Sequence, residues 1–301
     1  MISPLACGSL RGKGMISPLA CGSLRGKGMI SPLLAARLRL ATRDAAVRLG
    51  RCAGLGRTAL GYVAAMRHRA VFFDLGGTLF SYRTINTHFD GLLEELARGR
   101  GVERPMDELR AAYRGAMGRV MFDWAARPYY LHRDLFTEAH VAFLRALGVD
   151  ASADDPDVRF SEGRVLGEPE IAPRDDASKT LAALRDRGLH VQIVSNIDND
   201  QLEAVWPRLA LHHHVHAITT SEEARSCKPD PGIFRIALAK AGDPDPSSVV
   251  FVGDSVLHDV AGAKALGMTS VLIGEVPPGA PEKLQPDHVI DELSELLELV
   301  D

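Results

Sequence analysis

Apolar and polar positions sort this chain into elements from residue 70 onward. Ala70–Phe73 is apolar on both faces and predicts a fully buried parallel strand. Leu189–Val194, Val249–Val252 and Val271–Ile273 predict three further strands, Ala217–Thr220 a weaker one and His288–Ile290 an edge strand. Apolar residues at helical spacing fill the intervals: Asp176–Arg187, stopped by Gly188, then Asn199–Leu209, Gly232–Ala241 and a closing helix Glu292–Val300. Strands alternating with helices in this way give an α/β fold, a three-layer parallel sheet.

From Ser81 to Glu170 the strand pattern disappears. Phe89–Ala97, Met106–Trp124 and Leu135–Leu147 carry the helical period, punctuated by Gly101, Pro128 and Gly148. The expectation is a small helical domain inserted after the first strand, covering residues 84–170 between core segments 66–83 and 171–301. The aromatic residues Phe122, Trp124, Tyr129 and Tyr130 are assigned to its core.

The first sixty-five residues are of another kind. Met1–Gly14 recurs unchanged as Met15–Gly28, and Met29–Leu33 opens a third copy. The segment holds ten Arg or Lys against one acid, Asp44, while the remaining residues hold 25 bases against 38 acids. It reads either as an organellar transit segment or as upstream sequence ahead of a true start at Met66; the second is favoured because Met66 directly precedes the first strand. Gly8-Ser-Leu-Arg-Gly12-Lys13 falls one residue short of a phosphate loop, and Gly54-Leu-Gly56 follows no strand, so neither is a nucleotide signal. The acidic body excludes nonspecific nucleic-acid binding, and no apolar run is long enough to cross a bilayer. Of four cysteines only Cys227 lies in the body, which leaves a reducing, cytoplasmic location as the expectation, or an organelle if the transit reading holds.

Candidate chemistry gathers where the predicted strands end. Asp74 follows the first strand and is succeeded by Gly76 and Gly77, which let the backbone turn tightly. Ser195-Asn196 closes the second strand, and Lys228-Pro229 precedes a helix. Gly253-Asp254-Ser255 closes the fourth strand, and Asp259 follows on the next helical turns, facing back at i, i+4 spacing. Two carboxylates at one strand end need a cation or protons to coexist. His212, His213, His214 and His216 are read as a solvated loop, since metal geometry needs more than adjacency.

Asp74-x-Gly-Gly-Thr78, Ser195-Asn196, Lys228-Pro229 and Gly253-Asp254-Ser255-x-x-x-Asp259, in this order on these elements, resemble the haloacid dehalogenase-like superfamily. The resemblance spans about Arg69–Gly274. It implies a Rossmann-like core with a helical cap and, for most members, Mg²⁺-dependent hydrolysis of small phosphorylated compounds through an aspartyl-phosphate. Asp74 would be the nucleophile and, with the Gly76 carbonyl and Asp254, a metal ligand, with Asp259 in support. Lys228 would act in catalysis, holding phosphoryl oxygens with Ser195, and Asn196 and Gly77 would complete the substrate site.

One position departs from that pattern. Phosphatases of the family carry a second aspartate two residues after the nucleophile, where this chain has Gly76. The backbone carbonyl there is kept, but the carboxyl that moves protons is not. The cap histidines His88 and His132, or the substrate itself, are the candidates to replace it. Dehalogenases of the superfamily also lack this carboxyl, though they need no magnesium. Phosphonate-cleaving members use a cap lysine, and residues 81–170 contain twelve arginines and no lysine. A catalytically weakened, ligand-binding member is the reading from a different class.

Overall fold

The structure is a computed structural model that describes residues 67–160 and 171–300. The tandem repeat, the transit or upstream segment and the two discarded glycine motifs lie outside the described residues. Six parallel strands form one sheet in the order β3-β2-β1-β4-β5-β6. They are β1 (Ala70–Phe73), β2 (His190–Ser195), β3 (Ala217–Thr220), β4 (Val249–Gly253), β5 (Thr269–Ile273) and β6 (His288–Ile290).

Side-chain alternation along the strands sorts the core into two layers. Val71 and Phe73 of β1, with Val191, Ile193, Val250 and Val252, face one side. That layer continues into the inserted helices α1 (Arg83–Gly99), α2 (Met106–Trp124) and α3 (His132–Ala146), and into α4 (Ala177–Asp186) and α5 (Asn199–Leu209). Ala70, Phe72, Val194, Val249 and Phe251 face the other side, against α7 (Pro231–Lys240) and α8 (Ala261–Leu266). The single turn α6 (Ser221–Ala224) follows β3, and α9 (Leu296–Leu299) ends the described chain. Helices on both faces of a parallel sheet make the three-layer α/β architecture expected from the sequence. Strand order reverses between β1 and β4, and in such a sheet the carboxyl ends beside that reversal form the natural crevice.

Several boundaries move for identifiable reasons. The third inserted helix starts at His132 rather than Leu135, because a core carboxylate, Asp198, accepts the N–H groups of His132 and Arg133, both at 2.9 Å. β5 starts two residues early, where buried Ser270 is satisfied by Asp287 through its N–H at 2.8 Å and its hydroxyl at 2.7 Å. The expected closing helix is a 3₁₀ turn, Leu293–Glu295, plus one helical turn; Arg187 takes its last carbonyls, Leu297 and Val300, at 2.7 Å each. The assignment of Phe122 to the insertion's core does not hold, since it is 82% exposed. Trp124, Tyr129 and Tyr130 are half-buried, with Trp124 edge-on to Tyr130. Among the described residues, no helix is long and apolar enough to cross a membrane.

α7 and α8 touch through a glycine. A Cβ on Gly262 would lie 2.3 Å from Cζ of the fully buried Phe234, so only hydrogen fits there. Gly262→Ala should therefore lower stability by about 1–3 kcal/mol, the cost of overpacking a filled core. The shift in urea midpoint at unchanged slope measures it.

Candidate active site

Three adjacent strands deliver the site. β1 ends at Phe73, and Asp74 is fixed next to β4 by its N–H, which donates to the Val252 carbonyl at 2.8 Å. β4 ends at Gly253, so Asp254 emerges beside Asp74. On the other flank β2 ends at buried Ser195. Gly253 has no room for a side chain either, since a Cβ there would lie 2.3 Å from the Asp259 carboxyl.

The carboxylates Asp74, Asp254 and Asp259 converge, offering one oxygen each within 4.8 Å of one another. The ammonium of buried Lys228 donates to Asp74 Oδ1 and to Asp259 Oδ1, both at 2.7 Å. Burial alone would push this ammonium toward neutrality; Asp259 and Asp74 outweigh that and hold it above its ordinary range. Asp259 is thus engaged on both oxygens, because Oδ2 accepts the Ser255 N–H at 2.9 Å. Its segment, Val256–Val260, is a single π-type turn before α8 rather than ordinary helix, a deviation common at functional sites.

One ammonium does not balance three carboxylates. Burial and then the charges of Asp74 and Asp259 drive Asp254 well above the usual carboxylate range. Burial likewise lifts Asp259 to about 6 despite Lys228. Such a cluster fits a hard divalent cation with oxygen ligands, for which Asp74 and Asp254 are the carboxylates to hand. The histidine run contributes nothing to it: His212, His213 and His216 are exposed, and His214 meets Ser178 at 3.0 Å.

Two residues expected at the substrate are engaged by the protein itself. The Asn196 side chain spans the Lys228 backbone, accepting its N–H at 2.7 Å and donating to its carbonyl at 3.1 Å. Asn196 therefore aims the lysine. Gly77 donates its N–H to the Phe80 carbonyl at 2.8 Å, and its own carbonyl accepts from Arg174 at 2.7 Å. Gly77 matters for space: its φ is +85°, and a Cβ there would sit 2.0 Å from Asp254 Oδ2. Gly76 is buried in the same turn, bridged to Phe80.

Four residues that the sequence did not single out belong to the site. Arg174 braces the turn after β1 through the carbonyls of Gly77 and Thr78, the latter at 2.9 Å. Tyr82 stands close enough to the cluster that its phenol, raised well above its ordinary range by burial, is raised further by Asp254, Asp74 and Asp259. His258, adjoining Asp259, is pushed down to about 4 by burial and then by Lys228. Asp198 caps α3 from the core and caps α5 from its own position, in a capping box with Gln201. Only the last had a local signal, an Asp ahead of a predicted helix.

A sequence profile of haloacid dehalogenase-like hydrolases matches residues 68–267. The chain belongs to this family. It is 30% identical over 244 residues to a ribulose-1,5-bisphosphate 5-phosphatase of Halopiger xanaduensis, covering 77% of this chain and 98% of that protein. It is also 29% identical over 241 residues to (S)-2-haloacid dehalogenase 1 of a Pseudomonas species, covering 77% and 96%. The fold matches the HAD-hydrolase YfnB of Bacillus subtilis, solved with magnesium, at a TM-score of 0.63 and 18% identity, over 77% of this chain and 98% of that one. The chain is accordingly a hydrolase with an α/β core.

The excess negative charge dictates how stability responds to pH. Asp254 and Asp259 bind protons more tightly folded than unfolded, so stability present below the ordinary carboxylate range is lost as pH rises, for Asp259 through about 6. A divalent cation should restore it where both are ionised. We expect MgCl₂ to raise the melting temperature more at about pH 7.5 than at about pH 5. Equal shifts at the two pH values would contradict the charge argument.

Proposed function

We propose that the chain is a Mg²⁺-dependent hydrolase of small phosphorylated compounds, working through a phosphorylated Asp74. The observation that carries this reading is the carboxylate cluster: buried Asp74 and Asp259 share the one ammonium of Lys228, half-buried Asp254 joins them, and a divalent cation is what balances the three. In this reading residues 84–170 cap a catalytic core made of 66–83 and 171–301. The cytoplasmic location expected from cysteine usage belongs to the same proposal.

Asp74 attacks phosphorus with one oxygen. Lys228 neutralises the repulsion between that carboxylate and the incoming phosphoryl oxygens, while Asn196 and Asp259 keep its ammonium aimed. Ser195, at the end of β2, holds a phosphoryl oxygen. Asp74, Asp254 and the Gly76 carbonyl would hold Mg²⁺, which when bound supplies the positive field that phosphoryl transfer mostly depends on. No carboxyl at position 76 protonates the leaving group. Leaving groups that depart as stable anions, such as phenolates and carboxylates, are therefore favoured over sugar alkoxides.

The dehalogenase reading has one observation in its favour. The haloacid dehalogenase relative is 29% identical against 30% for the phosphatase, over a similar length, and dehalogenation needs no proton donor at position 76. It gives no account of a third carboxylate at Asp254.

The full chain should release phosphate from an aryl phosphate with MgCl₂, and Asp74→Asn should reduce this by on the order of 10³-fold or more. Gly76→Asp should raise turnover of sugar phosphates by about 10²–10⁴-fold, the usual worth of a placed general acid. Chloride release from 2-chloropropionate without added metal, and no phosphate release from any ester, would overturn the proposal in favour of dehalogenation.

A further inference from the structure

The proposed phosphatase needs a base for its second half-reaction, when water cleaves the phosphorylated Asp74, and Gly76 offers none. Of the two cap histidines named from the sequence, His132 lies on a segment held against the site loops. The segment Pro128–His132 crosses both of them. The Cys227 N–H, one residue before Lys228, donates to the Pro128 carbonyl at 2.8 Å, and the Cys227 thiol to the Tyr130 carbonyl at 3.4 Å. Asp198, three residues past Ser195, accepts the His132 and Arg133 N–H groups.

The same carboxylate faces the ring. His132 Nδ1 lies 3.8 Å from Asp198 Oδ1, is sealed from solvent and has no hydrogen-bond partner, so a small ring rotation would pair them. Burial opposes ionisation of Asp198, but the facing His132 ring and the backbone N–H groups of Arg133 and His132 prevail and hold its carboxyl below the ordinary range. An ionised carboxylate only accepts, so pairing with it would put the ring proton on Nδ1 and leave Nε2 its lone pair. With Nδ1 enclosed, the residual exposure of this buried ring lies on its other atoms.

Around the ring stand Tyr130, at a centroid distance of 5.0 Å, and Phe136 at 6.3 Å. The charged neighbours are Asp198, the Arg133 guanidinium that contacts Asp198 at 3.5 Å, and Lys228; His258 lies within electrostatic reach. Burial keeps the imidazole below its ordinary range, hence neutral near pH 7.

We infer that His132, oriented by Asp198, is the base that activates water against the phosphorylated Asp74, in place of the carboxyl absent at Gly76. The step rests on the proposed phosphatase reading. His132 Nε2 takes a proton from water as the water oxygen bonds to phosphorus. The bond from phosphorus to Asp74 breaks, and its electron pair returns to the Asp74 carboxylate. Inorganic phosphate leaves, and the imidazolium passes its proton to solvent. Asp198 is a positioning residue in this scheme.

The experiment uses the full chain, MgCl₂ and an aryl phosphate, read by rapid quench and by the mass of the Asp74 peptide. His132→Gln should keep a first-turnover burst of the phenol and accumulate phosphorylated Asp74, with steady turnover lowered about 10²-fold. His132→Gln turning over at the wild-type rate without accumulation overturns the inference alone. Absence of phosphorylated Asp74 in every variant, with phosphate still released, overturns it together with the aspartyl-phosphate route. The wild-type pH profile is independent of whether the variant folds. Steady turnover should fall tenfold per pH unit on the acid side of one inflection. Asp198→Asn, which keeps a capping oxygen, should move that inflection to lower pH. A flat acid limb, or an inflection unmoved by Asp198→Asn, contradicts the assignment.

Discussion

The contact on which this structure turns is the Lys228 ammonium lodged between Asp74 and Asp259. A buried ammonium is tolerated only where carboxylates enclose it, and buried carboxylates only where a cation answers them. Each partner comes from a different crossover of the sheet, so the pairing cannot form until β1, β4 and the loop before α7 are assembled. Asn196 adds a fourth segment by gripping the lysine backbone at both its N–H and its carbonyl. The glycines follow from the same crowding. Gly77 and Gly253 lack side chains because Asp254 and Asp259 occupy the space.

Asp198 performs a comparable service between the insertion and the core. It satisfies the first N–H groups of α3 while capping α5, so one carboxylate fixes two helices from separate parts of the chain. Arg133 then reaches back to Asp198, Asp200 and Glu222. The insertion is thereby tied down at the loops that present Ser195 and Lys228. The start of α3, with His132, is held against those loops.

How much of this was legible in the sequence follows from what kind of signal each feature leaves. Buried strands such as Ala70–Phe73 and Val249–Gly253 announce themselves by apolar runs, and the alternation with helices fixed the layers. The carboxylates and lysine were found because each stands at a strand end or helix start with a turn residue beside it. Partnership was not readable. Nothing local to Asn196 says that its amide will hold Lys228, and nothing local to Arg174 says that it will brace the turn after β1. The start of α3 at His132 was missed because its cap lies 66 positions away in sequence. Phe122 misled because an aromatic residue near other aromatics is ordinarily packed, whereas here it is exposed on α2.

With three carboxylates against one ammonium, the cluster is one divalent cation short of electrical balance. Calorimetric titration of Mg²⁺ into the full chain, beside Asp254→Asn, addresses it most directly. One ion per chain is expected for the wild type, with loss of that binding in Asp254→Asn, which removes a charge while keeping the shape. Absence of binding by the wild type, or equal binding by both proteins, would contradict it.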